Sequence, residues 1–135
     1  MLEAIDANPS GLPQDDVKMI MYQLFSACAF IHKQNFIHWD IKPENLLLST
    51  HGVLKLCDFG FARSLSKNKD AYYTDYVSTW WYWSPELLVG DAAYDASVDI
   101  WSLGCIFTEI YNGMPLFPGE SDLDTLSLIM DVLGP

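Results

Sequence analysis

The segment from about residue 96 to residue 112 constrains the fold more strongly than any other part of the chain. Its apolar residues fall on nearly every side of an α-helix, namely Val98, Ile100, Trp101, Leu103, Cys105, Ile106, Phe107 and Ile110. Because a helix that is apolar all round is stable only inside other structure, the segment predicts a central buried helix. Gly113 follows directly and is the residue type that most often ends a helix.

The composition is that of a folded globular chain. Of the 135 residues, 50% are hydrophobic, and a chain of this length can bury a core, so we expect one domain at most. The charge is acidic, with 18 acidic residues against 7 basic ones and a net charge of −11. Nucleic acids and anionic membranes are held by clusters of Lys and Arg, so the composition argues against both as partners.

The three cysteines suggest neither a disulfide framework nor a metal site. Cys28, Cys57 and Cys105 are odd in number, widely separated and set in apolar runs, which predicts reduced thiols. The first residues lack the basic start and apolar stretch of a signal peptide, and the apolar stretch 19–31 is too short to span a bilayer. These features predict a reducing compartment, the cytoplasm or the nucleus.

Three further segments have patterns that predict secondary structure. Apolar residues between Val17 and Ile31 recur on one helical face and predict a long helix at about 14–34. Two short apolar runs within 46–57 predict a β-hairpin, and the segment at about 122–133 predicts another helix. A polar loop at 37–45 precedes the hairpin. Residues 61–84 show no period, and such a long unpatterned segment is usually functional or mobile.

Two polar motifs flank the predicted hairpin. Residues 38–45 read His-Trp-Asp-Ile-Lys-Pro-Glu-Asn, and Asp-Phe-Gly follows at 58–60. Ser-Pro-Glu stands at 84–86, and Asp-Ile-Trp-Ser-Leu-Gly stands at 99–104. Together these motifs resemble the catalytic loop, the metal-binding triplet, the Ala-Pro-Glu triplet and the central large-lobe helix of protein kinases. Without the resemblance, the same residues would be a polar loop that closes on a hairpin.

The resemblance implies a role for each residue of these motifs. Asp40 would accept the proton of the substrate hydroxyl, and Lys42, typical of serine/threonine kinases, would lie near the transferred phosphate. Asn45 and Asp58 would bind the Mg²⁺ ions that accompany ATP. Structural anchors are implied at three positions, His38, Glu86 and Asp99. Of these, Asp99 would fix the backbone of the catalytic loop.

The implied fold is mainly α with a small β-hairpin, the C-terminal (large) lobe of the protein-kinase-like fold, incomplete at both ends. Residues 1–135 would be a partial kinase domain, because they contain no Gly-rich loop, strand lysine or partner glutamate of the small lobe. We therefore expect the 135-residue chain alone to lack kinase activity and to expose apolar surface that promotes aggregation.

Residues 58–86 match the activation loop of kinases. The Thr-Asp-Tyr sequence at 74–76 resembles a dual phosphorylation site, so Thr74 and Tyr76 would be targets of an upstream kinase, and Arg63 matches a phosphate-binding residue. The segments 85–91 and 115–122 most resemble the cyclin-dependent-kinase-like family. No residue indicates a cyclin-like partner, and a location at cilia would rest on family resemblance alone.

Three tryptophans depart from the family pattern. Trp39 replaces the arginine of His-Arg-Asp, and Trp80 and Trp83 replace arginines in the segment from Thr79, which matches the substrate pocket. An indole has one donor and no charge, so it cannot grip a phosphate as arginine does, and both phosphate regulation and substrate choice come into doubt. One explanation is a pseudokinase or a weakly regulated kinase that phosphate no longer switches. The other is that the tryptophans are not genuine, because a single C-to-T transition in a CGG codon converts Arg to Trp and all three changes are of this type.

Two functions remain open from the sequence. The first is a fragment of an ATP- and Mg²⁺-dependent serine/threonine kinase that acts on a protein substrate. The alternative is a pseudokinase or a truncated large lobe that binds a substrate or regulator without catalysis.

Overall fold

The structure is a computed structural model that describes residues 1–65 and 79–134. Five helices occur in these ranges: α1 Leu2–Asp6, α2 Gln14–Lys33, α3 Pro85–Leu88, α4 Ser97–Asn112 and α5 Asp122–Leu133. Four short strands occur with them: β1 Phe36–Ile37, β2 Leu46–Leu48, β3 Leu54–Leu56 and β4 Arg63–Ser64. Single 3-10 turns lie at Pro43–Asn45, Phe59–Phe61 and Trp80–Tyr82. The mainly helical fold class predicted from the sequence is thus confirmed.

The core lies between the two long helices α2 and α4. The apolar face predicted for α2 is buried against α4, with Ile20 and Leu24 meeting the fully buried Leu103, Ile106 and Ile110. The first turn of α4 lies beside the last turn of α2, where Asp99 contacts His32, and the polar loop 37–45 follows shortly after α2.

Helix α4 shows the apolar surface that was expected for the 135-residue chain, although its pattern alone predicted burial on every side. Ile100 and Phe107 are each 46% exposed and Tyr111 is 51% exposed, so one apolar side of the helix faces solvent. The physical reason is that apolar periodicity reports a preference for burial, whereas burial itself needs a neighbour on each side. Within residues 1–65 and 79–134, neighbours cover the side of α4 that runs from Cys105 and Glu109 round to Leu103, and they leave the opposite side open.

The predicted hairpin is present, and a second strand pair accompanies it. β2 pairs antiparallel with β3, with Leu46 opposite Leu56. β1 pairs antiparallel with β4, with Ile37 opposite Arg63. The second pair corrects two expectations, because β1 extends to Ile37 in the segment predicted to be loop and β4 lies in the segment 61–84 that shows no period. Strands of two residues are too short to produce an alternating pattern.

The last helix, α5, begins with a side-chain cap. The Ser121 hydroxyl accepts a hydrogen bond from the Asp124 backbone N–H at 3.1 Å, which satisfies a donor that the first turn leaves free.

Cys28 and Cys105 are buried, Cys57 is half-buried, and all three are free thiols. Among the described residues, no helix is both long and apolar enough to cross a membrane.

Candidate active site

Asp99 organises the loop that carries the predicted catalytic residues. It lies in the first turn of α4, is 1% exposed, and accepts the backbone N–H groups of His38 and Trp39, each at 2.9 Å. The ring Nε2 of His32 also contacts this carboxylate, at 2.7 Å, and must donate there because a carboxylate only accepts. Three donors therefore fix the position of Asp99, and with it the loop backbone, including the left-handed φ of 72° at Trp39.

His38 connects the loop to the far end of the hairpin. Its buried ring donates from Nε2 to the carbonyl oxygen of Cys57 at 3.0 Å, directly before the Asp-Phe-Gly triplet. The ring also meets Phe59 edge-on, with 4.8 Å between the ring centroids. The two motifs recognised in the sequence are thus joined by direct contacts.

Asp40 is the most tightly held carboxylate of the loop. It is 6% exposed, and its Oδ2 atom accepts from Asn45 Nδ2 at 3.0 Å and lies 3.0 Å from Lys42 Nζ. Asn45 Nδ2 also donates to the Asp40 carbonyl at 2.8 Å. The side chain therefore has one orientation, with its negative charge matched by an ammonium group.

Asn45 and Asp58 offer oxygen atoms suited to a hard divalent cation. Both contacts of the Asn45 amide use its nitrogen, and its Oδ1 accepts no hydrogen bond from any residue in 1–65 or 79–134. Asp58 is exposed, and one carboxylate oxygen accepts the Gly60 N–H at 3.3 Å. An amide oxygen and a carboxylate oxygen form a donor set that fits Mg²⁺, which prefers oxygen ligands and retains water.

The remaining predicted residues are placed as follows. Thr79 directly precedes the 3-10 turn Trp80–Tyr82 and is half-buried. Glu86 lies in α3, where its carbonyl accepts the Asp91 N–H at 2.8 Å; its carboxylate forms no ion pair with any described residue. Thr74 and Tyr76 lie outside the described residues.

The three tryptophans that depart from the family pattern lie together. The Trp83 ring centroid is 5.9 Å from that of Trp39 and 5.6 Å from that of Trp80. Tyr94 extends the cluster, 5.8 Å from Trp39. The guanidinium carbon of Arg63 lies 4.0 Å from the centroid of the Trp39 ring. The residue implied as a phosphate ligand thus has an aromatic face as its neighbour.

Sequence reasoning missed three polar residues near this site, of which Tyr82 and Glu109 are buried and His32 is half-buried. His32 follows Cys28 by four residues, so the helical period that identified the buried face of α2 could have placed it there. The Tyr82 hydroxyl donates to Glu109 Oε2 at 2.7 Å inside the core. Burial raises the pKa of Glu109, which the Tyr82 hydrogen bond partly opposes, and burial also raises the pKa of Tyr82. No motif could have indicated this pair.

Comparison with known proteins agrees with this geometry. The protein kinase domain family matches residues 1–133. Cyclin-dependent kinase-like 5 from Mus musculus and from Homo sapiens are each 57% identical over all 135 residues, which span 14% of those proteins. Cyclin-dependent kinase-like 4 from Mus musculus is 51% identical over 99% of the chain, which spans 39% of that protein. The chain thus covers much less than the full length of these relatives.

These matches agree with the loop held by Asp99 and with the Asp-Phe-Gly triplet that follows the hairpin. The relatives also bear out the cyclin-dependent-kinase-like character read from residues 85–91 and 115–122. The match over residues 1–133 shows that this chain belongs to the protein kinase domain family.

Proposed function

We propose that the chain forms the large-lobe part of a serine/threonine kinase that transfers the γ-phosphate of ATP to a protein hydroxyl. One observation carries the proposal: the Asp40 carboxylate is held between the Asn45 amide and the Lys42 ammonium, 3.0 Å from each. Phosphoryl transfer depends mainly on positioning and on charge stabilisation, and this loop supplies both.

Asp40 acts as the general base. As the substrate oxygen attacks phosphorus, its proton passes to the Asp40 carboxylate, and the bond to the leaving ADP oxygen breaks. The Asn45 contacts keep the carboxylate oriented toward one position of the hydroxyl. Such orientation lowers the entropic cost of reaching the reactive geometry.

Lys42 supports acceptor selection and charge stabilisation. Its ammonium group, paired with Asp40 in the free site, would also neutralise negative charge on the transferred group. Mg²⁺, held by Asn45 and Asp58, would neutralise charge on the phosphates when ATP is bound. The lysine two residues after the base also supports serine or threonine rather than tyrosine as the acceptor.

The proposal is tested in a chimera. The segment of mouse cyclin-dependent kinase-like 5 that aligns with this chain is replaced by the 135 residues, and phosphate transfer from labelled ATP is measured. We expect Mg²⁺-dependent transfer to peptides that carry serine or threonine and none to the same peptides with tyrosine. A folded chimera that binds a protein partner but transfers no phosphate would instead support the non-catalytic alternative.

A further inference from the structure

Arg63 and Trp39 form a direct contact across the second strand pair. Arg63 is the chain's single arginine, and the pairing of β4 with β1 places it opposite Ile37, two residues before Trp39. Its guanidinium carbon lies 4.0 Å from the Trp39 ring centroid, well within the range of a cation–π interaction.

The Trp39 ring is fixed independently of Arg63. Its backbone N–H is bound by Asp99, and its left-handed φ of 72° sets the direction of the side chain. Trp83 and Tyr94 pack against the indole with centroid distances of 5.9 and 5.8 Å. The loop therefore presents a rigid aromatic face on which the guanidinium group rests.

Among the residues that the structure describes, the neighbour of the Arg63 guanidinium group is this aromatic face. Within residues 1–65 and 79–134, no carboxylate forms an ion pair with the guanidinium group. The electrons of the indole face attract the guanidinium charge, so the contact stabilises the position of Arg63. An aromatic neighbour thus supplies stabilisation that would otherwise need an anion.

The strand pair that carries Arg63 is too short to be stable by itself. Each strand has two residues, and the Leu65 N–H donates to the Asn35 carbonyl at 2.9 Å next to the pair. A two-stranded ribbon is marginal in water even at greater length. A side-chain contact at its end is therefore expected to contribute much of its order.

We propose that Trp39 and Arg63 clasp the segment after Asp-Phe-Gly to the catalytic loop and thereby hold residues 59–65 in place without a bound phosphate. Trp39 and Arg63 are positioning residues, since neither contacts the reacting atoms. The inference rests on the proposed kinase function and gives its regulation: the start of the activation loop is ordered whether or not residues farther along it are phosphorylated.

The clasp is tested by hydrogen–deuterium exchange of the Leu65 amide, with the long helix α2 as an internal reference. In the 135-residue chain, Trp39→Leu and Arg63→Gln should each speed exchange at Leu65 about fivefold, and the double variant should be no faster than either. Arg63→Lys should retain part of the protection, because it keeps the cation. Additive effects, or no change at Leu65, would refute the clasp.

Two controls distinguish faster exchange at Leu65 from a general loss of stability. Lys55→Gln removes the same charge from an exposed residue of β3 and should leave Leu65 unchanged. The amides of Ile20 and Leu24 report global unfolding, and they should keep their rates in every variant. If Trp39→Leu does not fold, the comparison of Arg63→Lys with Arg63→Gln tests the clasp by itself. Slower exchange at Leu65 in Arg63→Lys supports the clasp, and equal exchange in the two variants contradicts it.

A second experiment tests whether the order of residues 59–65 is independent of bound phosphate. Inorganic phosphate should not change Leu65 exchange in the parent chain. In Trp39→Arg, two guanidinium groups would face each other, so exchange should be faster and added phosphate should slow it. Protection of the parent chain by phosphate would contradict the inference. If the chimera is inactive while the Leu65 amide responds to the substitutions as predicted, only the proposed function is wrong. If the chimera is active while Trp39→Leu and Arg63→Gln leave Leu65 exchange unchanged, only the clasp is wrong.

Discussion

At the scale of single residues, Asp99 positions the catalytic loop more directly than any residue within that loop. Its carboxylate accepts two adjacent backbone N–H groups and the His32 ring while it is almost completely buried. A neutral amide at this position would have only one acceptor oxygen and would present its own N–H groups to the remaining donors. The geometry of the loop therefore depends on a charge that lies outside the loop.

We predict that Asp99→Asn lowers the free energy of unfolding by about 3 kcal/mol, because it leaves a buried donor unsatisfied. Urea unfolding at neutral pH measures the change. Asp131→Asn, on the exposed side of α5, is the matched control and should stay within about 0.5 kcal/mol of the parent chain. An equally small effect of Asp99→Asn would show that the loop backbone is held by other contacts.

Asp40, Asn45 and Asp58 were predicted from the resemblance of their two motifs to those of protein kinases, and the structure shows the contact between Asp40 and Asn45. His32 and Glu109 were not predicted, because a single polar side chain within an apolar helix leaves no pattern that identifies its partner. The contact of Arg63 with Trp39 was also out of reach, since it depends on a strand pair too short to predict.

At the scale of elements, α4 carries two glycines whose surroundings are opposite. Gly104 lies within the helix on its exposed face, and a Cβ atom there would meet nothing within 4 Å. Gly113 ends the helix with a φ of 80°, and a Cβ atom there would meet the Pro9 carbonyl oxygen. The first glycine only weakens the helix, whereas the second is required where the chain passes residues 9–11.

The two glycines give a paired prediction for unfolding. Gly104→Ala should stabilise the chain by about 1 kcal/mol, because alanine loses less backbone entropy within a helix. Gly113→Ala should destabilise it by more than about 2 kcal/mol, since left-handed backbone and a steric clash both penalise it. Thermal unfolding of both variants measures the difference, and two changes of the same sign would contradict the account of α4.

The burial of Glu109, whose carboxylate accepts from Tyr82 and so ties α4 to the turn Trp80–Tyr82, makes stability depend on pH. Burial raises the pKa of Glu109 from its ordinary value of 4.5, so the folded chain binds a proton more tightly than the unfolded chain. Its contribution to stability is therefore fully present below about pH 4.5 and is lost as the pH rises through the folded-state pKa. Asp95 acts in the opposite sense, because the Ser97 N–H hydrogen bond lowers its pKa.

We predict that Glu109→Gln removes the Glu109 part of this pH dependence, since the amide oxygen can still accept from Tyr82. The free energy of unfolding of the variant minus that of the parent should increase from pH 4.5 to pH 8, as followed by urea unfolding. Glu120→Gln, an exposed control, should give a flat difference. A flat difference for Glu109→Gln would mean that the carboxyl is ionised in both states alike.

At the scale of the whole molecule, the exposed apolar face of α4 departs from the burial that its periodicity alone predicted, and it agrees with the apolar surface expected for the 135-residue chain. Ile100 and Phe107 are both 46% exposed although the pattern predicted a fully buried helix. Contiguous apolar surface of this kind promotes association between molecules. The fold class and the catalytic motifs were predictable because they depend on local order, whereas coverage of this face depends on what else packs there.

We predict that the 135-residue chain self-associates through this face. The double variant Ile100→Gln and Phe107→Gln should shift it toward the monomer in sedimentation velocity without lowering its melting temperature. Leu47→Gln, at a residue that is 56% exposed on β2, makes a comparable change on another surface and should leave association unchanged. Equal effects of the two changes would indicate nonspecific aggregation instead.

The most direct test of the central claim, that the loop held by Asp99 is a working kinase catalytic loop, is phosphate transfer by the chimera with Asp40→Asn. Removal of a general base that is already oriented should lower kcat at least about 100-fold, with little change in KM for ATP. Asp15→Asn, at an exposed residue of α2, should retain the parent rate. An Asp40→Asn chimera that keeps a rate close to the parent's would contradict the claim.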